Sequence, residues 1–363
     1  MSTDRSRSKG VVALLADIPT TGHLGSAQAE RFALKGDNIA SRSSDFLDFT
    51  ARRLSEGKKV VALYPKWHAE HAERAIAFAR GALQTDHIAQ VALDISPLAL
   101  SLVADQLAYL SPYVPSGVTA ALAEELPQHI LAGAWLKRVN NLSTIPITFK
   151  QHLGSYLPKT TFLAFNAPVK RVGRVKKGNP RPNLPSRPID PVQVLVTRPE
   201  NYDVDEFNEQ LTPALRAVSL SALPEQPLGP VYWGVRKYIE FVVFSAHPQA
   251  LPSTTRTVRP NTCSWCRDLV SALYCPYCGT INQPAAGRPP TRSADVPPPP
   301  AKRTGEHIRP AWISQQGAQA DRSAPSSATG HPSGPQPSAA TSRAMEQAGG
   351  HPPTGTRPNA PPS

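Results

Sequence analysis

The four cysteines of this 363-residue chain lie together in one short stretch. Cys263 and Cys266 form one pair and Cys275 and Cys278 form a second, so the pattern reads C-x2-C-x8-C-x2-C. Two residues between paired cysteines allow a tight turn that points both sulfurs at one ion, and two such turns complete the tetrahedral site that zinc prefers. Because four thiolates leave no open coordination position, we expect a structural Zn²⁺.

The second cysteine pair resembles a knuckle of the zinc ribbons. Its sequence, YCPYCGT, has proline after the first ligand and glycine after the second, which suits a turn with a positive φ angle. The first pair, CSWCR, departs from that pattern, and the eight-residue spacer is short for two hairpin arms. The resemblance implies a small module that either ends the fold or contacts nucleic acid or a protein. Trp265, Tyr274 and Tyr277 would form its core or its contact surface.

A basic segment at residues 167–188 is the second feature that could bind a ligand. It has no acidic residue, and its prolines and glycines indicate an extended loop. Seven cations on an extended segment can follow a phosphate backbone without reading the bases. The alternatives are a solvated loop, a localisation signal, or a contact to an anionic membrane or acidic protein. The predicted nucleic-acid contacts are Lys170, Arg171, Arg174, Lys176, Lys177, Arg181 and Arg187.

Signatures of enzymes are absent from the sequence. It contains no phosphate-binding G-x-x-x-x-G-K-[ST] loop, no G-x-G-x-x-G and no G-x-S-x-G elbow. His68 and His71 lie three residues apart beside glutamates, but they lack the spacing of the H-E-x-x-H proteases, and a polar helix surface explains them better. The cysteines are all needed for the cluster. We therefore predict that the protein is not an enzyme.

Composition indicates where the chain folds and where it is expected to be found. The net charge of +12 is concentrated in residues 137–200, which hold 12 basic and 2 acidic residues. Residues 284–363 contain 17 prolines and few large apolar side chains, which predicts a disordered tail rich in Pro, Ala and Ser. The sequence has no apolar run long enough for a membrane span and no signal peptide, so we expect a cytoplasmic protein without a membrane partner.

Apolar periodicity predicts an α/β or α+β body. Buried strands at GVVALLADI, KVVALYP and HIAQVALDIS alternate with helices, the first of them capped by Ser43 or Ser44, and this order is typical of parallel strands. Residues 116–139 are expected to be helical with a bend near Pro127, and TIPITF, TTFLAFNAPV, VQVLVTRP and YIEFVVFSAH to be strands. The predicted parts are an α/β domain (1–140), a strand-rich part (141–258), the zinc module (259–283) and the tail (284–363).

These features together suggest a non-enzymatic RNA-binding protein. A compact body with a cationic loop and a Pro/Ala/Ser-rich tail resembles, in composition only, the genome-associated proteins of capsid-less double-stranded RNA mycoviruses, the polymycovirus-like group. That resemblance implies a viral protein that binds RNA, including double-stranded RNA, through its phosphate backbone, in host cytoplasm or virion. The alternative is an adaptor whose zinc ribbon and Pro-rich tail dock protein partners or a second copy of the chain.

Overall fold

The computed structural model describes residues 8–157, 160–175, 182–199, 205–271 and 273–282. The predicted disordered tail lies outside these residues. None of the described helices is long and apolar enough to cross a membrane.

A four-stranded parallel sheet forms the first layer of the fold. Its strands are β1 (Gly10–Leu14), β2 (Glu30–Arg31), β3 (Lys59–Pro65) and β4 (Ile88–Leu93), in the order β2-β1-β3-β4. Helices α1 (Ile39–Ser55) and α2 (Glu70–Leu83) pack on one side of it. All three pairings are parallel, so the βαβ arrangement predicted from the alternating pattern is confirmed.

Helix α1 begins earlier than its sequence pattern suggests. Asn38 is the cap, and its side chain accepts a hydrogen bond from the Ser41 N–H at 2.9 Å. Ser41 in turn accepts from the Asn38 N–H, which completes a capping box. The prediction of Ser43 or Ser44 as the cap is therefore wrong, and Ser43 is instead fully buried inside the helix.

The second layer consists of α3 (Pro97–Leu110) and α4 (Ser116–Glu125), which cover the other side of the parallel sheet. Pro97 stands at the first turn of α3, as its fixed φ angle favours. Beyond Pro127 the predicted helix is wrong, because residues 131–136 form strand β5 (Leu131–Leu136). Both edges of β5 pair with other strands and all six of its residues are buried, so tertiary pairing overrides local helical preference.

A six-stranded mixed sheet forms the third layer, in the order β7-β6-β5-β10-β8-β9. Its other strands are β6 (Thr161–Ala167), β7 (Arg171–Val175), β8 (Val192–Thr197), β9 (Ala217–Leu223) and β10 (Tyr238–Ser245). Only β8 and β9 pair in parallel. The remaining helices are α5 (Phe149–Gly154), α6 (Asp205–Leu215), α7 (Gly229–Trp233) and α8 (Ala250–Thr254). The domain boundaries at 140, 258 and 283 stay predictions.

Two of the predicted segments have a different structure. TIPITF is not a strand, because Thr148 and Gln151 form a capping box that starts α5 instead. The basic segment is not a continuous loop, since Arg171–Val175 is the edge strand β7.

Asp105 of α3 ties the loop between β1 and β2 to the core. This carboxylate, only 1% exposed, accepts hydrogen bonds from Thr20 Oγ1 at 2.9 Å and from the Thr21 N–H at 3.1 Å. It also forms an ion pair with Arg31 at 2.7 Å. A buried carboxylate needs such partners to offset its desolvation, and here they come from a segment about 80 residues away in sequence.

Glu240 is a buried carboxyl group with far fewer partners. It lies at the middle of β10, fully buried, and its Oε1 accepts a hydrogen bond from the Leu98 N–H at the start of α3, at 2.9 Å. No described residue forms a hydrogen bond with Oε2. Burial therefore raises the pKa of Glu240 from near 4.5 to about 7, while Ser96 and the Leu98 N–H act in the opposite direction.

We predict that Glu240 makes stability fall as pH rises. The folded protein holds this proton up to about pH 7 and the unfolded chain only to about 4.5, so the free energy of unfolding should decline between these values and then level off. The Glu240→Gln variant, which keeps a neutral side chain, should remove that decline. At pH 8 it should be about 2 to 3 kcal/mol more stable than the parent in urea unfolding.

The matched control for this experiment is Glu124→Gln, because Glu124 is exposed on α4. That variant should keep the parental pH profile. If Glu240→Gln also kept it, the buried carboxyl would not be the source of the pH dependence.

Candidate metal centre

The sulfurs of the four cysteines converge on one point. All four Sγ atoms lie within 4.8 Å of one another, with Cys263 and Cys278 3.7 Å apart and Cys266 and Cys275 3.5 Å apart. Cys263 and Cys275 are buried, while Cys266 and Cys278 are partly buried. Among the described residues this is the only group of three or more His, Cys, Asp or Glu side chains arranged to hold a metal ion.

The two cysteine pairs have the same backbone turn despite their different sequences. The Arg267 N–H donates to the Cys263 carbonyl at 3.1 Å, and the Gly279 N–H donates to the Cys275 carbonyl at 2.9 Å. The residue after each second cysteine is left-handed, with φ of +64° at Arg267 and +74° at Gly279. The first knuckle thus has the same conformation as the second although arginine replaces glycine at this position. A positive φ angle is unfavourable for arginine.

Short antiparallel pairings hold the two knuckles together. Strands β11 (Asn261–Thr262) and β12 (Leu269–Val270) form a small hairpin around the first knuckle, and Tyr274 bridges to Ile281 around the second. Of the three aromatic side chains, Tyr277 is fully buried, whereas Trp265 is 76% exposed and Tyr274 is 60% exposed. Only Tyr277 therefore serves as an interior residue, and the cluster with its arms matches a zinc-ribbon-like module.

The cysteine module is packed against the α/β layers. The Gln90 N–H at the outer edge of β4 donates to the Pro276 carbonyl at 2.9 Å, and the Arg80 guanidinium donates to the same carbonyl at 3.0 Å. Lys59 and Asp268 form an ion pair in which both side chains are about 95% buried. Because these contacts join residues 180 to 210 positions apart, the module belongs to the core of the fold.

Glycine at position 117 allows the closest of these contacts. A Cβ atom on this residue of α4 would lie 1.5 Å from the Leu269 carbonyl oxygen, far inside contact distance. The neighbouring atom is backbone and cannot rotate away. Only glycine therefore lets α4 approach β12 this closely.

The cysteine thiols have shifted pKa values, and a cationic side chain lies beside them. Burial raises the pKa of Cys275 to about 11. At Cys278 burial acts in the same direction, but hydrogen bonds from Thr280 outweigh it and the pKa falls to about 7. The Arg80 guanidinium interacts electrostatically with Cys275 and Cys278. A bound metal cation would deprotonate the thiols, and Arg80 would then balance part of their negative charge.

The basic residues predicted to contact nucleic acid mostly have partners inside the fold. Lys170 pairs with Asp94 at 2.7 Å, and Arg187 pairs with Asp190. Arg171 lies over the Phe165 ring at 5.7 Å, and Arg174 donates to Thr160 at 3.3 Å. Lys176, Lys177 and Arg181 lie outside the described residues. The four described cations are thus held by intramolecular contacts.

His68 and His71 do not form a metal site with other described residues. Their ring centroids lie 6.5 Å apart, and His71 Nδ1 is 3.3 Å from Arg42 Nη1. A guanidinium at that position disfavours a cation between the rings.

No family model and no curated protein matches the chain. Solved structures that resemble it include the DegV family protein Cg2579 from Corynebacterium glutamicum (14% identity, TM-score 0.44, covering 66% of this chain and 97% of that one). A second is a stearic-acid-binding protein from Eubacterium ventriosum, with 11% identity and a TM-score of 0.45, covering 68% of this chain and 99% of that one. A third is the fatty-acid-binding protein DegV from Bacillus subtilis, with 11% identity and a TM-score of 0.42, covering 66% of this chain and 100% of that one. Because each TM-score is below 0.5, the likeness assigns neither a family nor a ligand to this chain.

The prediction of an RNA-binding protein is corrected: the four described cations that were expected to contact a phosphate backbone have partners within the fold, and several of the similar structures are described as binding fatty acids. The nucleic-acid partner and the viral origin are corrected with it, as is the alternative of a docking adaptor. The resemblance to mycoviral proteins has no support beyond composition. The physical reason for the error is that clustered cations in a sequence can be paired within the fold, as Lys170 and Arg187 are.

Sequence reasoning identifies the four converging cysteines but misses the residues that position them. Gly117, Arg80 and Lys59 lie in α4, α2 and β3, far from the cysteines in sequence. Local spacing contains no signal for contacts across more than 100 residues. The one sequence feature that indicates such a contact is Lys59, a lysine that begins the otherwise apolar strand KVVALYP.

We predict that Gly117→Ala detaches the module from α4. The added methyl group would overlap the Leu269 carbonyl, so unfolding should be easier by about 3 kcal/mol or more. Gly81→Ala is the matched control, because its Cβ meets no atom within 4 Å and alanine favours the α2 helix. Urea unfolding and the rate of cysteine alkylation would measure both effects. Equal behaviour of the two variants would contradict the close contact.

Proposed function

We propose that the four cysteines bind one structural Zn²⁺ that fastens residues 261–282 onto the α/β body. The observation that carries this proposal is the convergence of the four Sγ atoms within 4.8 Å. Cys263 and Cys266 would supply one pair of ligands, and Cys275 and Cys278 the other. Thiolate sulfurs in a tetrahedral set favour zinc over harder metals such as magnesium or calcium.

The proposed role of the metal is to stabilise the fold. A set of four thiolates leaves no position for water or substrate, so the proposal includes no reaction at the metal. That the chain is not an enzyme stays a prediction. Zinc binding in such modules contributes directly to the free energy of folding, since the unfolded chain has no preformed site.

The position of the module gives the metal a specific task. Strand β4 is at the edge of the parallel sheet, and the Pro276 carbonyl caps the Gln90 N–H on that edge. Exposed strand edges promote pairing between chains, and proteins commonly cover them with loops. Zinc would hold Pro276 in place, because this residue directly follows the ligand Cys275.

A basic side chain would balance part of the net charge of a Zn²⁺ with four thiolates, which is −2. Arg80 interacts with Cys275 and Cys278, and Lys59 lies 5.2 Å from the Tyr277 ring centroid. Lys59 is already paired with Asp268, so Arg80 is the main counter-charge. Such outer partners raise metal affinity although they do not touch the metal.

We predict that purified full-length protein contains one Zn²⁺ per chain, with the zinc content measured by inductively coupled plasma mass spectrometry. Cys275→Ser should lose the metal and melt several degrees lower, because a hydroxyl is a far weaker zinc ligand. Chelation should lower the melting temperature of the parent to that of the variant. Ser264→Ala, an exposed change within the first knuckle, should alter neither value. Metal-free protein that melts like the parent would contradict the proposal.

We predict further that Arg80→Met weakens zinc binding without removing it. Loss of the guanidinium leaves the anionic cluster less balanced, and a change of about 10-fold in affinity is expected from such outer residues. Competition with a chromogenic chelator measures this affinity. Arg74→Met is the matched control on the same helix, since its side chain is 61% exposed and pairs with Glu70 on the helix surface. An equal effect of both substitutions would exclude a local role for Arg80.

A further inference from the structure

The outer surface of α5 and of the turn after it is apolar. Phe149, Leu153, Tyr156 and Leu157 are 75%, 53%, 67% and 55% exposed. Their spacing of i, i+4, i+7 and i+8 places them on one side, because the helix continues as a turn in which the Leu157 N–H donates to the Gly154 carbonyl at 3.2 Å. We call these four residues the α5 apolar face. A helix at the surface of a globular protein usually has the reverse arrangement, with its apolar side against the core.

The inner side of α5 carries small and polar residues instead. The Gln151 side chain donates a hydrogen bond from Nε2 to the Val172 carbonyl of β7 at 2.7 Å. Ser155 Oγ accepts a hydrogen bond from the Val139 N–H at 3.0 Å, and Gly154 is buried. These contacts fix the rotation of α5 about its axis, so the fold itself turns the α5 apolar face towards solvent.

The α5 apolar face is large for a surface that contacts only water. A large apolar side chain has an area of about 200 Å², so four of them, each exposed by half to three-quarters, present roughly 500 Å² in total. Patches of this size on a single chain are often functional, and they mark contacts with proteins or membranes. Each partner in a stable protein interface buries about 800 Å². This face alone is therefore too small for a stable protein complex, whereas insertion into a lipid bilayer needs no matching pocket.

Basic side chains flank the α5 apolar face. Lys150 is exposed on α5 itself. Lys137 and Arg138 are exposed at the end of β5, directly before the residue whose N–H donates to Ser155. Residues 126–189 contain no Asp or Glu. A second copy of the chain docked through this face would bring like charges together, whereas the anionic phosphates of lipid headgroups would be attracted to them.

We propose that α5 docks the protein reversibly on an anionic lipid bilayer. The α5 apolar face enters the boundary between headgroups and acyl chains, while Lys137, Arg138 and Lys150 contact lipid phosphates. Interfacial helices combine apolar insertion with basic residues in this way, and tyrosines such as Tyr156 favour that depth. Such a helix lies on the bilayer, so the expectation of a protein without a membrane partner, which rested on the lack of a membrane span, is replaced by surface contact.

Co-sedimentation of the full-length protein with lipid vesicles tests this proposal. The protein should bind vesicles of phosphatidylcholine mixed with phosphatidylserine. It should bind pure phosphatidylcholine at least about 10-fold more weakly, because each cation near an anionic surface contributes roughly 5-fold in affinity. Added salt should reduce binding to the mixed vesicles, since it screens this attraction. Binding to neither kind of vesicle, or equal binding to both, would overturn the proposal.

Phe149→Ser removes the most exposed side chain of the α5 apolar face. It should weaken binding to the mixed vesicles by about 10-fold or more and leave the melting temperature unchanged. Val218→Ser is the matched control, because Val218 is 65% exposed on β9, outside this face. Lys150→Gln should weaken binding to the mixed vesicles roughly 5-fold and leave binding to pure phosphatidylcholine unchanged.

Two results with these variants would contradict docking through α5. Equal vesicle binding by Phe149→Ser and Val218→Ser would exclude insertion of the α5 apolar face. If the parent bound no vesicles but formed dimers that Phe149→Ser separates in size-exclusion chromatography, the face would belong to an interface between two copies of the chain.

Discussion

The burial of α3 between two sheets is the constraint on which the rest of the structure depends. Twelve of its fourteen residues are buried, and it contacts both β1 and β10. A helix covered on all sides must satisfy each polar group it carries with partners from both layers. On the side of the parallel sheet, Asp105 accepts a hydrogen bond from the Thr21 N–H in the loop after β1. On the side of the mixed sheet, the Leu98 N–H donates a hydrogen bond to Glu240 of β10. The relative placement of the two sheets therefore follows from this one helix.

Helix α4 extends the same layer and links it to the cysteine module. Val118 and Leu122 belong to the core that also contains Tyr277 and Cys263. The module completes this core, since its buried side chains continue the layer formed by α3 and α4. A metal that fixes residues 261–282 would therefore stabilise an existing interface. This explains why the largest steric restriction in the region, at Gly117, lies on the helix and not within the module.

The sequence predicts those features that depend on local pattern. The parallel strands follow from apolar runs such as KVVALYP, and the convergence of the four cysteines follows from the spacing of Cys263, Cys266, Cys275 and Cys278. Strand β5 could not be recognised, because LAGAWL suits a helix and becomes a strand only by pairing on both edges. The prediction that the basic segment contacts nucleic acid was wrong for a related reason, since Lys170 pairs with Asp94, about 75 residues away in sequence.

Two buried carboxyl groups in the same core illustrate how differently burial can be balanced. Asp105 has an arginine and several hydroxyl and amide donors, so it is a fixed structural anchor. Glu240 has one backbone donor and no cation, so it is balanced by holding a proton to about pH 7. Burial thus gives a fixed anchor where a cation is available and a pH-dependent group where none is.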